Sequence, residues 1–463
     1  MMPPAVDNAV DLSWAGPVDL PLHGEADVQA ACGVMHVHGR RRGAPTRLGF
    51  DYCTLVAREL ARVGALAVHL AGARGLRLTR VSTSVAEAAL LSVSQYLAAA
   101  SAGEEPGRPG EGPPFVSAEG VRFELETLDT EVWQSFWTEL GVPDAAIRDG
   151  WPPFVRRFAT AVCALPGELR ARTGTLPLQS IMDTAAATGM SLVRVADRPL
   201  TDVPAFTVTQ LLVQRPPAAS DGTMPLAGLR VLESARRVQG PLAGHLLRLL
   251  GASVLRIEPP GGDLARGEAP LAAGVSARFH ALNHGKELVE IDLNTPAGRR
   301  TVLDIAVDAD VFLHNWAPDR AAARGLDFSD LARRAPGLIY AHASGWGNAL
   351  GPRPPVGTDY MAQAHSGFTS PTLMTVVDVF GGIVSAHGVV AGLLRRQKTG
   401  GGQLVESSLL SAAAQLNSQA QASVSAPSTP VCDDLRALAA DPRFDRALSW
   451  DGCVLPRSPW RFS

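Results

Sequence analysis

From Leu226 onward the chain alternates short apolar runs with stretches of helical periodicity, and that texture leaves few folds open. Leu229–Leu232, Ser253–Ile257, Leu288–Ile291, Val311–Leu313 and Leu338–His342 read as strands. Helices over Gly240–Leu250, stopping at Gly251, and over Pro296–Val307 separate some of them. Strands apolar on both faces and joined by helices pair in parallel, because a crossover helix returns the chain to the same end of the sheet. The expectation is α/β, a Rossmann-like doubly wound parallel sheet with its ligand at the carboxyl ends of the strands. The turn after the first strand, ESARRVQGP (233 to 241), contains no G-x-G-x-x-G, which disfavours a nicotinamide or flavin dinucleotide.

Two stretches rich in Pro and Gly, 102–114 (AGEEPGRPGEGPP) and 215–225 (RPPAASDGTMP), cannot hold a regular ladder and divide the chain. Between them Phe115–Leu125 alternates like a strand pair with a turn at Glu119 and Gly120. Thr130–Gly141 places Val132, Trp133, Phe136, Trp137 and Leu140 at helical spacing. The expected division is residues 1–102, a small α+β domain over 115–214, the Rossmann-like domain over 226–420, and a tail over 421–463 that packs back on the fold.

Lys plus Arg is 42 against 45 for Asp plus Glu, a net charge of −3 without a long block of one sign, so nucleic acid is not an expected partner. No apolar run approaches the roughly 18 residues of a spanning helix, and the start, MMPPAVDNAVDLSW, lacks a basic region followed by an apolar one. The expectation is a soluble cytoplasmic protein without membrane contact. Cys32, Cys53, Cys163, Cys432 and Cys453 form no C-x-x-C pair, and His36, His38, His245, His280 and His284 show no metal spacing with carboxylates. Neither a disulfide frame nor a metal site is indicated.

Seven phrases stand together in order: LAGLRVLE (226 to 233), GPLAGHLLRLLGASVLRIEPPGGD (240 to 263), LNHGKELVEIDLNTPAGR (282 to 299), DVFLHNWAPDRAAARGLDF (310 to 328), LIYAHASGWGNALGP (338 to 352), GTDYMAQAHSG (357 to 367) and QKTGGGQLVESSLL (397 to 410). In this combination they resemble the class III (CaiB/BaiF-type) CoA-transferases, a family that includes formyl-CoA and carnitine CoA-transferases and the α-methylacyl-CoA racemases. The resemblance implies the class III CoA-transferase fold and an acyl-CoA:carboxylate CoA-transferase. Acyl-CoA and a carboxylic acid would be its substrates, with no tightly bound cofactor, and an intertwined homodimer is implied.

Asp359 matches the family's covalent carrier, which works through aspartyl anhydride and aspartyl-CoA thioester intermediates. From spacing alone Gly-Thr-Asp is also a helix start. An ordinary Asp is ionised at neutral pH and needs no separate base to attack a thioester. The family pattern maps CoA binding onto Val238, Gln239, Gly240, Pro241, Arg256, Lys286, Asn315, Trp316 and Arg324. Arg256, Lys286 and Arg324 would neutralise phosphates, and Trp316 would offer a face to adenine or pantetheine. Gly345, Gly347, Gly381 and Gly382 are candidate oxyanion donors. Pro259 and Ala323 depart from the pattern, standing where basic residues are common.

The racemases of this fold carry a His immediately before the Asp and a second acid in a G-D-F-G-G-like phrase. Here Thr358 replaces the His, while Asp378 supplies the second acid. Thr358 cannot serve as a general base, which favours transfer, with His365 as the remaining imidazole for a racemase or epimerase alternative. A non-catalytic CoA-binding member is the other alternative.

The amino-terminal segment reads as a partial repeat of the same family. Gln29–Gly33 parallels Gln363–Gly367, Asp51 parallels Asp378, and Val81–Ser84 parallels Val405–Ser408. Glu25 stands where the second copy has Asp359, and the longer side chain predicts an inactive first copy. Segment 115–205 resembles the family's small domain and PRSPWRFS (456 to 463) its tail, in an order that looks permuted and allows one chain to supply both halves.

Overall fold

A computed structural model describes residues 9–105, 107–214, 222–420 and 425–463. The first eight residues of the opening segment and residues 215–221 of the second break lie outside the described residues, as do 421–424 of the expected tail.

Seven strands form the central sheet: β1 Phe206–Gln214, β2 Arg230–Ser234, β3 Ser253–Glu258, β4 Glu287–Glu290, β5 Val311–His314, β6 Ile339–Ser344 and β7 Gly401–Ser408. Their order is β4-β3-β2-β5-β6-β7-β1. Every neighbouring pair is parallel except the antiparallel pair of β7 and β1. The chain builds outward from β2 to β4, returns to β5 and builds the other way, so the switch point lies between β2 and β5.

All five strands expected after residue 226 are present. Strands β7 and β1 were not foreseen. Residues 206–214, expected in the small domain, instead pair with β7, Val208 opposite Val405. The reason is an open edge: without β1 the last parallel strand would present a row of unpaired N–H and C=O groups.

Three more helices position the site: α2 Gln239–Leu249, α3 Asp359–His365 and α4 Val376–Thr399, preceded in the chain by α1 Tyr52–Ala73. Helix α4 corrects the expectation about apolar runs. It is long and apolar enough to cross a membrane, yet 83% of that window is buried inside the protein. It lies against β6 and β7 on one side and along α1 and α2 on the others. Small residues let it sit close: a Cβ at Gly388 would fall 2.7 Å from Val405 Cγ1.

The first copy has its own geometry. Val81–Ser84 pairs in parallel with Val10–Ser13 and antiparallel with Arg461–Phe462, forming a separate three-stranded sheet. Ser84 and its counterpart Ser408 both cap the helix that follows, accepting from Glu87 N–H and Ser411 N–H. Between the copies, Phe115–Val116, Arg122–Glu126 and Ser191–Arg194 form an antiparallel sheet. Helix Thr130–Glu139, capped by Asp129, closes over it around Phe115, Phe123, Trp133, Phe136 and Trp137.

Gly388→Val should lower stability by about 1–3 kcal/mol, because the added methyls have nowhere to go but into β7. Gly72→Ala, at a helical position with nothing within 4 Å of its Cβ, should raise stability by up to about 1 kcal/mol. Urea unfolding of both variants checks the pair.

Candidate active site

Asp359 opens α3 and is only 1% exposed. Its carboxylate is held from two helices. Gln363, one turn along α3, donates from Nε2 to Oδ1. Val377 N–H and Asp378 N–H, in the first turn of α4, each donate to Oδ2 at 2.8 Å. The amino-terminal end of a long helix carries partial positive charge and suits an anion. Gln363 is fixed in turn, its Nε2 donating to Thr372 C=O and its Oε1 accepting from Thr372 N–H, both at 3.0 Å. Thr358 occupies the cap position, but its hydroxyl donates to Glu126 Oε2 at 2.8 Å rather than capping α3.

A narrow crevice reaches this carboxylate, lined by Leu128, Phe154 and Phe158 of the small domain, Arg237 and Val238 of the turn after β2, and Asp378. Burial pushes the Asp359 carboxyl up to about 7, opposed by its three hydrogen-bond donors. Burial and the neighbouring Asp359 charge push Asp378 well above the usual carboxylate range. Asp359 is therefore not the ordinary low-pKa anion expected from its sequence. The three donors on Asp359 favour its charged form, so of the two raised carboxyls Asp359 ionises first and its charge holds Asp378 up.

Arg157, buried beneath this crevice, joins the small domain to α3. Its Nη2 lies 3.3 Å from Glu124 Oε1 and 3.2 Å from Glu126 Oε2, and its guanidinium sits 3.8 Å over the Phe154 ring and 4.8 Å over the Tyr360 ring. Sequence reasoning did not find this triad. The one signal was FELE (123 to 126), which places Glu124 and Glu126 on one face of a strand with no cation at a local spacing.

A second cavity of about 320 Å³ opens at the carboxyl ends of β2, β3 and β5, at the switch point. It receives Arg256, Asn315, Trp316 and Arg324 of the expected CoA set, with Arg236 and Arg320, which were not singled out. Arg324 stands 4.7 Å over Trp316, whose Nε1 donates to Ser234 Oγ at 3.2 Å. Asn315 clamps the Arg236 backbone, accepting from its N–H at 3.0 Å and donating to its C=O at 2.7 Å. Arg237 lines both cavities and links them, with its backbone at φ 67°, in the left-handed region unusual for a branched-out side chain.

The remaining expected residues lie elsewhere. Val238 borders the carboxylate crevice, whereas Gln239, Gly240 and Pro241 are buried in the first turn of α2. Lys286 turns inward: Nζ meets Glu233 Oε2 and the Pro241 carbonyl at 2.8 Å and Asn283 Oδ1 at 2.9 Å. Arg256 borders the nucleotide-sized cavity but is engaged by Glu233, Glu258 and Asp263 at 2.6, 3.0 and 2.7 Å. The physical reason is Glu233, wholly buried at the end of β2, which demands cations of its own. In this structure Lys286 is therefore spent on Glu233 away from the cavity, and Arg256 is already paired.

Gly381 and Gly382 lie within α4 and pack on Gln239, while Gly345 and Gly347 sit in the loop after β6, so none of the four borders the crevice. The donors aimed at the carboxylate are Val377 N–H and Asp378 N–H instead. His365 packs edge-on to Trp346, ring centroids 5.5 Å apart, and does not line the crevice.

The profile of CoA-transferase family III matches residues 20–216 and again 226–434. The chain belongs to this family. It is 38% identical over 204 residues to a succinate–glutarate CoA-transferase of Agrobacterium fabrum, covering 40% of this chain and 51% of that protein. It is 32% identical over 209 residues to a succinyl-CoA:glutarate CoA-transferase of Mus musculus, covering 42% and 48%. Among solved structures, a CaiB/BaiF family protein from Brucella suis matches at 31% identity and a TM-score of 0.39, covering 42% of this chain and 55% of that one. The chain thus spans about half the length of the curated relatives it matches.

Within this family member the first copy preserves the frame of the carboxylate site. Glu25 accepts from Gln29 Nε2 at 2.8 Å, Cys53 N–H at 2.9 Å, Thr54 N–H at 2.8 Å and Thr54 Oγ1 at 2.6 Å. Gln29 answers to Gln363, and Cys53 and Thr54 to Val377 and Asp378. The counterpart of Asp378 is therefore Thr54, not Asp51, which precedes α1 as Thr375 precedes α4. A hydroxyl stands where the second copy has its second acid.

Two outcomes follow from these charges. Asp359 binds its proton more tightly folded than unfolded, the pKa rising from 3.8 to about 7, so the pair's contribution to stability falls as pH rises through that window. Asp378→Asn removes the competing acid and should flatten this fall, seen as a wild-type-minus-variant difference in urea midpoint that changes between pH 4 and 7. Arg157→Met leaves two buried carboxylates without their cation and should cost about 3–5 kcal/mol by the same unfolding assay.

Proposed function

We propose that this chain is an acyl-CoA:carboxylate CoA-transferase in which Asp359 is the covalent carrier. The observation that carries the reading is the Asp359 carboxylate, buried yet aimed into a crevice, with Oδ2 on two backbone N–H groups of α4 and Oδ1 held by one side-chain amide. The family's transfer chemistry then assigns each atom a task. Asp359 Oδ1 attacks the thioester carbonyl of the donor; the C–S bond breaks, CoA leaves as thiolate, and an aspartyl–acyl anhydride remains. The thiolate attacks the aspartyl carbonyl and expels the donor acid as carboxylate, giving an aspartyl-CoA thioester. The acceptor carboxylate attacks that thioester and releases CoA thiolate, which then attacks the acceptor's carbonyl in the new anhydride and restores Asp359.

Whenever the aspartyl carbonyl is attacked, negative charge gathers on Oδ2, where Val377 N–H and Asp378 N–H already point. The donors are paid for by folding, so little reorganisation is needed at the moment of reaction. The cavity beside Trp316, Arg320 and Arg324 suits the nucleotide end of CoA, with its phosphates on guanidinium groups and its base beside the indole. Arg237 stands where the pantetheine arm would pass from that cavity to Asp359. Relatives named for succinate, glutarate, oxalate and malate support a carboxylic acid as acceptor.

The racemase reading finds no support in the geometry: Thr358 is engaged by Glu126 and His365 stays on Trp346. The small domain that closes the crevice comes from the same chain as Asp359, so the reading does not require a second copy to complete the site.

Incubation with acetyl-CoA, succinyl-CoA or octanoyl-CoA in the presence of hydroxylamine should give one aspartyl hydroxamate per chain, mapped by peptide mass to Asp359, with Glu25 unmodified. Absence of the adduct with every donor removes the mechanism. Asp359→Asn should reduce turnover by at least about 10³-fold, the loss typical when a covalent nucleophile is deleted. Because Asp359 must be ionised to attack, kcat/KM should fall on acidification with an apparent pKa near 7, and Asp378→Asn, which replaces an acid that ionises only after Asp359, should leave that limb in place.

A further inference from the structure

The live copy is shorter than the inactive one at a single place. Tyr52 follows Gly33 by nineteen positions, whereas Val376 follows Gly367 by nine. Where the shorter loop turns back, a cleft of about 730 Å³ opens, within the range of small-molecule sites. Its walls are the short loop 367–373, the longer loop of the first copy, and the outer face of the small-domain sheet. The walls are tied to each other: His38 Nδ1 lies 2.7 Å from Thr372 Oγ1, and Gly49 N–H donates to Ser370 Oγ at 3.0 Å. The cleft is preformed.

Its charge is mainly basic, four arginines against Glu124 and Asp197. Arg41, Arg42 and Arg122 line it, and among the described residues their side chains have no ion pair or hydrogen bond. Of the acids lining the cleft, Glu124 is already held by Arg157 and Asp197 alone offsets the three cations, the fourth arginine, Arg47, being paired with Asp51. Burial first, then the neighbouring Arg42 and Arg170, hold the Arg41 guanidinium below its usual range, with Glu124 opposing. Cations collected in a concavity raise the local concentration of anions.

The floor of the cleft is α3. Tyr360 lines both this cleft and the Asp359 crevice, and Gln363, the residue that holds Asp359 Oδ1, faces the cleft. The nucleotide-sized cavity shares no residue with it.

We propose that this cleft gathers the carboxylic acid that accepts CoA, pairing its carboxylate groups with Arg41, Arg42 and Arg122 apart from the bound CoA. The assignment rests on the transferase reading for the acid's fate, but not for its binding. Dicarboxylates should bind more tightly than monocarboxylates, since three unpaired guanidinium groups can engage both ends.

Calorimetric titration of the full chain with succinate, glutarate, oxalate, benzoate and octanoate at low salt tests this. At least one dicarboxylate should bind. Its Kd should rise tenfold or more in Arg41→Ala/Arg42→Ala and in Arg122→Ala, return part-way in Arg41→Lys/Arg42→Lys, and weaken with added salt, while CoA binds all variants within twofold of wild type. If the double variant does not fold by circular dichroism, Arg42→Glu, at an exposed position, gives the same reading. No binding of any acid, or equal binding by wild type and variants, overturns the proposal. Acid binding here in a protein that never forms the Asp359 hydroxamate sustains the cleft and removes the transferase; hydroxamate formation with an acid KM unchanged by the variants does the reverse.

Discussion

Two backbone N–H groups at the start of α4 hold a carboxylate that burial alone would keep protonated, and much of the architecture exists to keep those groups where they are. Helix α4 is apolar because it runs through the centre of the protein, between the sheet on one side and α1 and α2 on the others. Its first turn is unpaired by geometry, and the orphan donors of a helix start need an acceptor. Asp359 supplies it from α3, and Gln363 locks the approach angle. Burial and hydrogen bonding act on this carboxyl with opposite sign, so its charge state is poised rather than fixed. The small domain adds a second constraint through Thr358, Glu126 and Arg157, which join it to the helix that bears Asp359.

The central sheet was largely legible in the sequence. Strands β2 to β6 are short β-branched and apolar runs between helices, a pattern with few alternatives. β7 was missed because it begins Gly-Gly-Gln and carries Glu406 and two serines, a composition that resembles a turn. β1 was missed because its partner lies almost two hundred residues away and nothing local tells an edge strand of one sheet from a strand of another. The long helix α4 shows no continuous apolar run, since Asp378, Ser385 and His387 and its glycines interrupt it.

At the site, Asp359, Asp378 and Val238 were visible as residues, but their relations were not. The hydrogen bonds from Val377 and Asp378 span eighteen and nineteen positions and exist only once α3 and α4 meet. Lys286 illustrates the opposite case. A rare lysine beside a glycine turn resembles a phosphate ligand, yet a buried acid on β2 takes it, and no sequence spacing announces that Glu233 will be buried. The repeat was legible in outline, and its register slipped by three residues because Asp51 offered a chemical likeness to Asp378 that the backbone does not honour.

Glu25 has consequences for the frame around it. With four donors on its two oxygens and Thr54 in place of a second acid, it has become a fastener, uniting the start of α1 with the helix before it. A symmetric pair of sites can trade ligand information, each responding to occupancy of the other. Here the twin has been converted into masonry. In a chain so arranged the counterpart of Asp359 is a joint, and through it the first copy braces the start of α1, which lies along α4.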